Sequence, residues 1–165
     1  MEISELKSWF QQHRRRIQED YFRFLKFPSI STDPAYKKEC LDCAEWLCEY
    51  LRQGNIHAEL LPTPTLPLVY AEEKAAKKNA PTLLIYGHYD VQPVDPIDLW
   101  HSPPFEPTEK NGSIFARGAV DDKGQIFYAV LAILCWKELK GHLPVNLKFC
   151  IEGEEESAST GLAKA

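Results

Sequence analysis

Long hydrophobic runs are missing from this chain of 165 residues: the longest uninterrupted apolar pieces, such as residues 129–136, fall far short of the roughly 20 residues that a membrane span needs. The first 27 residues lack an apolar stretch followed by a small-residue cleavage site, and they carry Arg14, Arg15, Arg16 and Glu19 instead. The start therefore reads as that of a mature cytosolic protein. Positive charge is not in excess: 19 Lys and Arg stand against 24 Asp and Glu, a formal charge of −5. Phosphate neutralisation needs a basic face, so nucleic acid is excluded as the main partner, and a membrane surface has nothing to attract. Cysteine is odd in number, at Cys40, Cys43, Cys48, Cys135 and Cys150, which argues against a disulfide framework. Repeats, low-complexity segments and an internal linker are also lacking. What is present, 44% hydrophobic and 12% aromatic residues, suffices for one packed core and excludes intrinsic disorder.

Apolar residues at helical spacing run through residues 5–27 (Leu6, Trp9, Phe10, Ile17, Tyr21, Phe24, Leu25), with Ser4 as the expected N-cap and Pro28 as the stop. A second amphipathic helix is predicted over residues 36–53, closed by Gly54. Cys40 and Cys43 form a CxxC on its apolar face. No second CxxC or nearby His pair accompanies them, so they read as buried thiols and not as zinc ligands. Strands are expected over residues 56–61, 68–71, 82–87 and 145–152, the last from the alternation of Val145, Leu147, Phe149 and Ile151 with polar neighbours. A Pro-rich loop covers residues 91–108, a hairpin turn falls at Lys110-Asn111-Gly112, and a strong helix runs from Asp121 to about Lys140, closed by Gly141. The order predicts an α/β architecture with helices packed on a mixed sheet.

Three clusters of chemistry-bearing residues sit at the ends of these elements. His88 and Asp90 follow the strand at 82–85, expected to be buried, and two-residue spacing on extended chain puts both side chains on one face. Asp121 lies where a loop meets a helix start, at or next to the N-cap, where free amides and the helix dipole favour an ionised carboxylate. The run Glu152-Gly153-Glu154-Glu155-Glu156-Ser157 follows the last strand, and its mutual repulsion is most simply offset by a cation. Each cluster alone reads as a cap, a surface histidine or a solvated acidic loop. Together they offer one imidazole and several carboxylates, a donor set that suits zinc, manganese or cobalt better than calcium or magnesium. A phosphate loop at residues 118–124 is excluded, because the Gly spacing and the Ser/Thr after Lys are wrong.

GHYDVQP, Trp100, Pro104-Phe105, RGAVDDKG and EGEEES, in this order and at these separations, resemble the M20 metallopeptidases, especially the cytosolic non-specific dipeptidase and carnosinase-like branch. The resemblance runs from the FPSIS segment at Phe27 nearly to the end. It implies an aminopeptidase-like α/β sandwich, truncated here to the N-terminal portion of the catalytic domain, around two divalent ions: zinc, or alternatively manganese or cobalt. It also implies that His88 binds one ion, Asp121 bridges both, Glu156 binds the second, Glu155 is the general base and Asp90 orients His88. A cis peptide between Asp121 and Asp122 goes with that pattern. Glu155 and Glu156 are expected to point opposite ways, as neighbours on extended chain do. The implied substrate is a dipeptide or short peptide. An amidohydrolase acting on N-acyl amino acids, or a non-catalytic remnant with a structural or weak metal-binding role, are the alternatives. Two further ligands of the family's site, a downstream carboxylate and a late His, have no counterpart among these residues; His13, His57, His101 and His142 do not match. The family's lid or dimerisation domain, which makes the full-length protein a homodimer, is not found either. The reading is therefore of a fragment, inactive by itself.

Overall fold

The computed structural model describes residues 2–164. Helix α1 spans Ile3–Leu25, α2 Lys37–Gln53, α3 Lys123–Lys140 and the short α4 Thr160–Lys164. The strands are β1 His57–Leu61, β2 Leu68–Glu73, β3 Thr82–His88, β4 Thr108–Lys110, β5 Ser113–Phe115 and β6 Asn146–Glu152. The period-3.6 segments all became helices and the alternating segments all became strands.

Local chemistry moves some boundaries. α1 starts before the expected Ser4 cap because Glu2 and Glu5 cap each other reciprocally, the Glu2 backbone N–H donating to Glu5 Oε2 at 2.7 Å. Asp33 accepts from the Ala35 N–H and opens a 3-10 turn over Pro34–Tyr36, so α2 begins one residue late. β4 and β5 pair around Asn111 and Gly112, both at positive φ, the conformation that a two-residue hairpin loop requires. Gly141, at φ 75, closes α3.

The four-stranded sheet has the order β1-β2-β6-β3. β1 and β6 each pair antiparallel with β2, while β3 and β6 run parallel, with α3 in the crossover between them. Val69, Ala71, Leu147, Phe149 and Ile151 face the helices and are buried against Cys43, Leu47, Leu51, Ile126, Phe127 and Val130. An aromatic column holds the helices together, with Phe24 stacked on Trp46 at 5.2 Å, Trp46 on Tyr50 at 5.1 Å and Tyr50 on Phe127 at 5.6 Å. All five cysteines are free, and Cys40 and Cys43 are buried thiols. No described helix is long and apolar enough to cross a membrane.

One expectation is overturned. The strand preceding His88 is not buried along its length: Thr82, Leu83 and Leu84 are exposed, Leu84 at 61%. β3 is the edge of the sheet, and among the described residues no element covers its outer side, so apolar side chains suited to an interior face solvent.

Candidate metal centre

The parallel pairing of β3 with β6 sets His88 opposite Glu152, so both strands deliver their following loops to the same end of the sheet. The carboxyl ends of adjacent parallel strands are where sites form in α/β sheets. Gly87 lets the third contributor approach, because a Cβ there would collide with Ile126 and lie 2.5 Å from Asp122 Oδ2. α3 and the turn before it thus press directly on β3. The Asp121–Asp122 peptide in that turn is cis, as the resemblance implies.

The His88 ring is buried and has a different environment at each nitrogen. Nδ1 lies 3.2 Å from the Asp90 carbonyl and 3.3 Å from Asp90 Oδ1, while Nε2 lies 3.1 Å from Asp121 Oδ1 and 3.8 Å from Glu155 Oε2. A proton on Nδ1 held by Asp90 leaves the Nε2 lone pair facing the carboxylates, the tautomer a metal ligand needs. Asp90 is fully buried, and its two oxygens accept the backbone N–H of Glu155 at 3.2 Å and of Glu156 at 3.1 Å. Ligand atoms of His88, Glu155 and Glu156 all lie within 4.8 Å of one another. The side chain of Asp121 is 71% exposed and reaches this group through its contact with Nε2.

Two expectations change. Glu155–Ser157 is a 3-10 turn, not extended chain, so Glu155 and Glu156 do not point opposite ways; both carboxylates face His88. α3 begins at Lys123, two residues later than the expected start at Asp121, with Asp122 as its N-cap and no side-chain cap hydrogen bond; Asp121 stands next to the N-cap, as expected. The Asp122 carboxylate instead accepts the His88 backbone N–H at 3.1 Å. That role had no local signal, since the two residues are 34 positions apart. Gln92, a letter of the GHYDVQP motif with no role legible from its spacing, donates from Nε2 to Glu156 Oε2 at 2.6 Å. Glu152, the first of the acidic run, is buried rather than solvated, and its Oε1 accepts from Tyr86 at 2.5 Å and from Ser159 at 2.9 Å.

The donor chemistry fits a divalent cation. Burial disfavours the His88 imidazolium, but the hydrogen bond to Asp90 and the charges of Asp90, Asp122 and Glu155 outweigh it and raise the pKa from 6.5 to about 9. Burial likewise pushes the Asp122 carboxyl up, with the charges of Asp121 and Glu155 adding to it. Several carboxylates thus converge on one imidazole, a concentration of negative charge that a cation relieves. A separate cleft of about 570 Å³ between α1, α2 and the end of α3 contains none of these residues.

Residues 84–165 match the sequence profile of "Peptidase family M20/M25/M40". The chain belongs to this family. It is 35% identical over 153 residues to the Cys-Gly metallodipeptidase dug1 of Schizosaccharomyces pombe, a match covering 85% of this chain and 32% of that protein. It is 41% identical over 102 residues to the Beta-Ala-His dipeptidase of Rattus norvegicus, covering 62% of this chain and 20% of the relative. The crystal structure of human carnosine dipeptidase 1 superposes with a TM-score of 0.84 at 28% identity, over 94% of this chain and 35% of that one. This member of the M20 family therefore spans about a third or less of the length of these relatives.

Proposed function

We propose that the chain forms the N-terminal part of the catalytic domain of a metallodipeptidase, and that the ends of β3 and β6 and the turn before α3 supply its share of a divalent-metal site. The observation that carries the reading is the meeting of three separate parts of the sequence: Asp121 Oδ1 lies 3.1 Å and Glu155 Oε2 3.8 Å from His88 Nε2, and ligand atoms of His88, Glu155 and Glu156 lie within 4.8 Å of one another. In this reading His88, Asp121 and Glu156 would hold the ions, with zinc preferred over manganese or cobalt for this mixture of imidazole and carboxylate. When bound, such ions polarise a peptide carbonyl and acidify a water molecule. Glu155 would take a proton from the attacking water and return it to the leaving amine. Asp90 keeps the His88 proton on Nδ1. Glu156 is braced by the Gln92 amide.

Relatives named as dipeptidases support a dipeptide or short peptide as substrate. Two ions need more donors than these side chains offer, and relatives three times as long have room for the remaining ligands and for a lid and dimerisation domain. The five free thiols suit a reducing, cytoplasmic setting. The test compares Glu155→Gln with Glu156→Gln in the protein that carries this chain. Glu155→Gln is expected to lose hydrolysis by at least about 100-fold with metal content unchanged, whereas Glu156→Gln loses metal as well. Unimpaired hydrolysis by Glu155→Gln removes that residue from the base role.

A further inference from the structure

We propose that Ser31 is a positioning residue of the metal centre, acting through Asp90 on both halves of the donor set; this rests on the metal-site reading above. The Asp90 carboxylate is fully buried, and its two oxygens offer about four lone-pair positions. All four are taken. Oδ1 faces His88 Nδ1 at 3.3 Å and accepts the Glu155 N–H at 3.2 Å, while Oδ2 accepts the Glu156 N–H at 3.1 Å and the Ser31 hydroxyl at 2.5 Å. Three of these partners are the imidazole and the backbone beneath the two glutamates. The fourth, Ser31, comes from a different part of the chain, 59 residues from Asp90, and is the only one that is not itself part of the donor set. The rotation of this carboxylate sets where Nε2 and the turn at Glu155–Ser157 stand relative to each other, and the Ser31 hydroxyl fixes that rotation.

The segment around Ser31 is anchored without its hydroxyl. Ser29 Oγ donates to the Tyr89 carbonyl at 2.7 Å, and the Val91 N–H donates to the Ser29 carbonyl at 2.9 Å. The buried Lys123 ammonium donates to the carbonyls of Phe24 at 3.2 Å and Phe27 at 2.6 Å, so the start of α3 holds the end of α1. Removing the hydroxyl therefore leaves the backbone in place and leaves one lone pair of a buried carboxylate unsatisfied, free to turn toward another donor. A hydroxyl remains available in Ser31→Thr.

Two readouts test this in the protein that carries this chain. The first is zinc affinity by competition with a chromophoric chelator. Ser31→Ala is expected to weaken it by about tenfold or more, the usual cost of removing a group that orients a ligand, while Ser31→Thr recovers most of the loss and both variants keep the parent's melting temperature in EDTA to within a few degrees. The second is amide exchange in the metal-free protein, where the N–H groups of Glu155 and Glu156 exchange faster in Ser31→Ala than in the parent and those in the middle of β6 do not. Unchanged zinc affinity and unchanged exchange at Glu155 and Glu156 overturn the role of Ser31 while the metal site stands. A parent protein that binds no zinc sinks the metal-site reading, and with it the proposal, even if exchange at the two amides changes.

Discussion

At the scale of single residues, His88 decides the behaviour of the metal-free protein. Its pKa is raised from 6.5 to about 9 because the hydrogen bond to Asp90 and the surrounding carboxylate charge outweigh burial. A group raised on folding contributes stability that is fully present below about pH 6.5 and is lost as pH rises through about 9. The difference amounts to something on the order of 3 kcal/mol. In EDTA the parent's melting temperature is expected to fall between pH 6.5 and 9, while His88→Gln shows no fall attributable to this window; equal profiles would remove the imidazolium from the account. Zinc must displace the same proton, so its affinity is expected to climb over the same range and level off above about pH 9, measured with a pH-insensitive chelator. That His88 and several carboxylates lie at element ends was legible in the sequence, whereas their separate roles came only from the family resemblance. The contacts of Ser31, Gln92 and Asp122 were not, because each joins positions far apart in the chain or depends on a turn that periodicity does not encode.

At the scale of elements, the contact between β3 and α3 positions two of the three contributors to the site. Gly87 makes it possible. Gly87→Ala places a methyl group into the Ile126 side chain and beside the Asp122 carboxylate, and is expected to cost about 1–3 kcal/mol, the range for overpacking a close contact. Adding Ile126→Val makes room and is expected to recover part of that loss in chemical denaturation; a double variant no more stable than Gly87→Ala would place the strain elsewhere. Periodicity located α1, α2 and α3 to within two or three residues, since helices with one apolar stripe announce themselves. It misread residues 155–157, because a run of glutamates carries no period and the 3-10 turn there follows from the amides of Glu155 and Glu156 reaching Asp90.

At the scale of the molecule, the helices cover one face of the sheet, and the other carries Tyr70, Lys148, Cys150, Leu84 and Tyr86 without a covering element among the described residues. The free edge of β3 adds unpaired backbone groups to exposed Leu83, Leu84 and Tyr86. An exposed apolar edge strand is a template for association. Sedimentation of the 165-residue chain is expected to show concentration-dependent self-association that Leu84→Lys suppresses; a parent that stays monomeric at high concentration would show that the edge is protected.

The amino-acid order by itself determined the layer architecture and the three clusters, because apolar period and residue type are local properties that survive without coordinates, and the family followed from the resemblance of its ordered motifs. Tertiary structure alone decided that both glutamates face one imidazole, that Asp90 joins the two strand ends, and that β3 lies open at the edge. Those facts depend on which strands become neighbours, and strand order is a product of packing the whole chain at once.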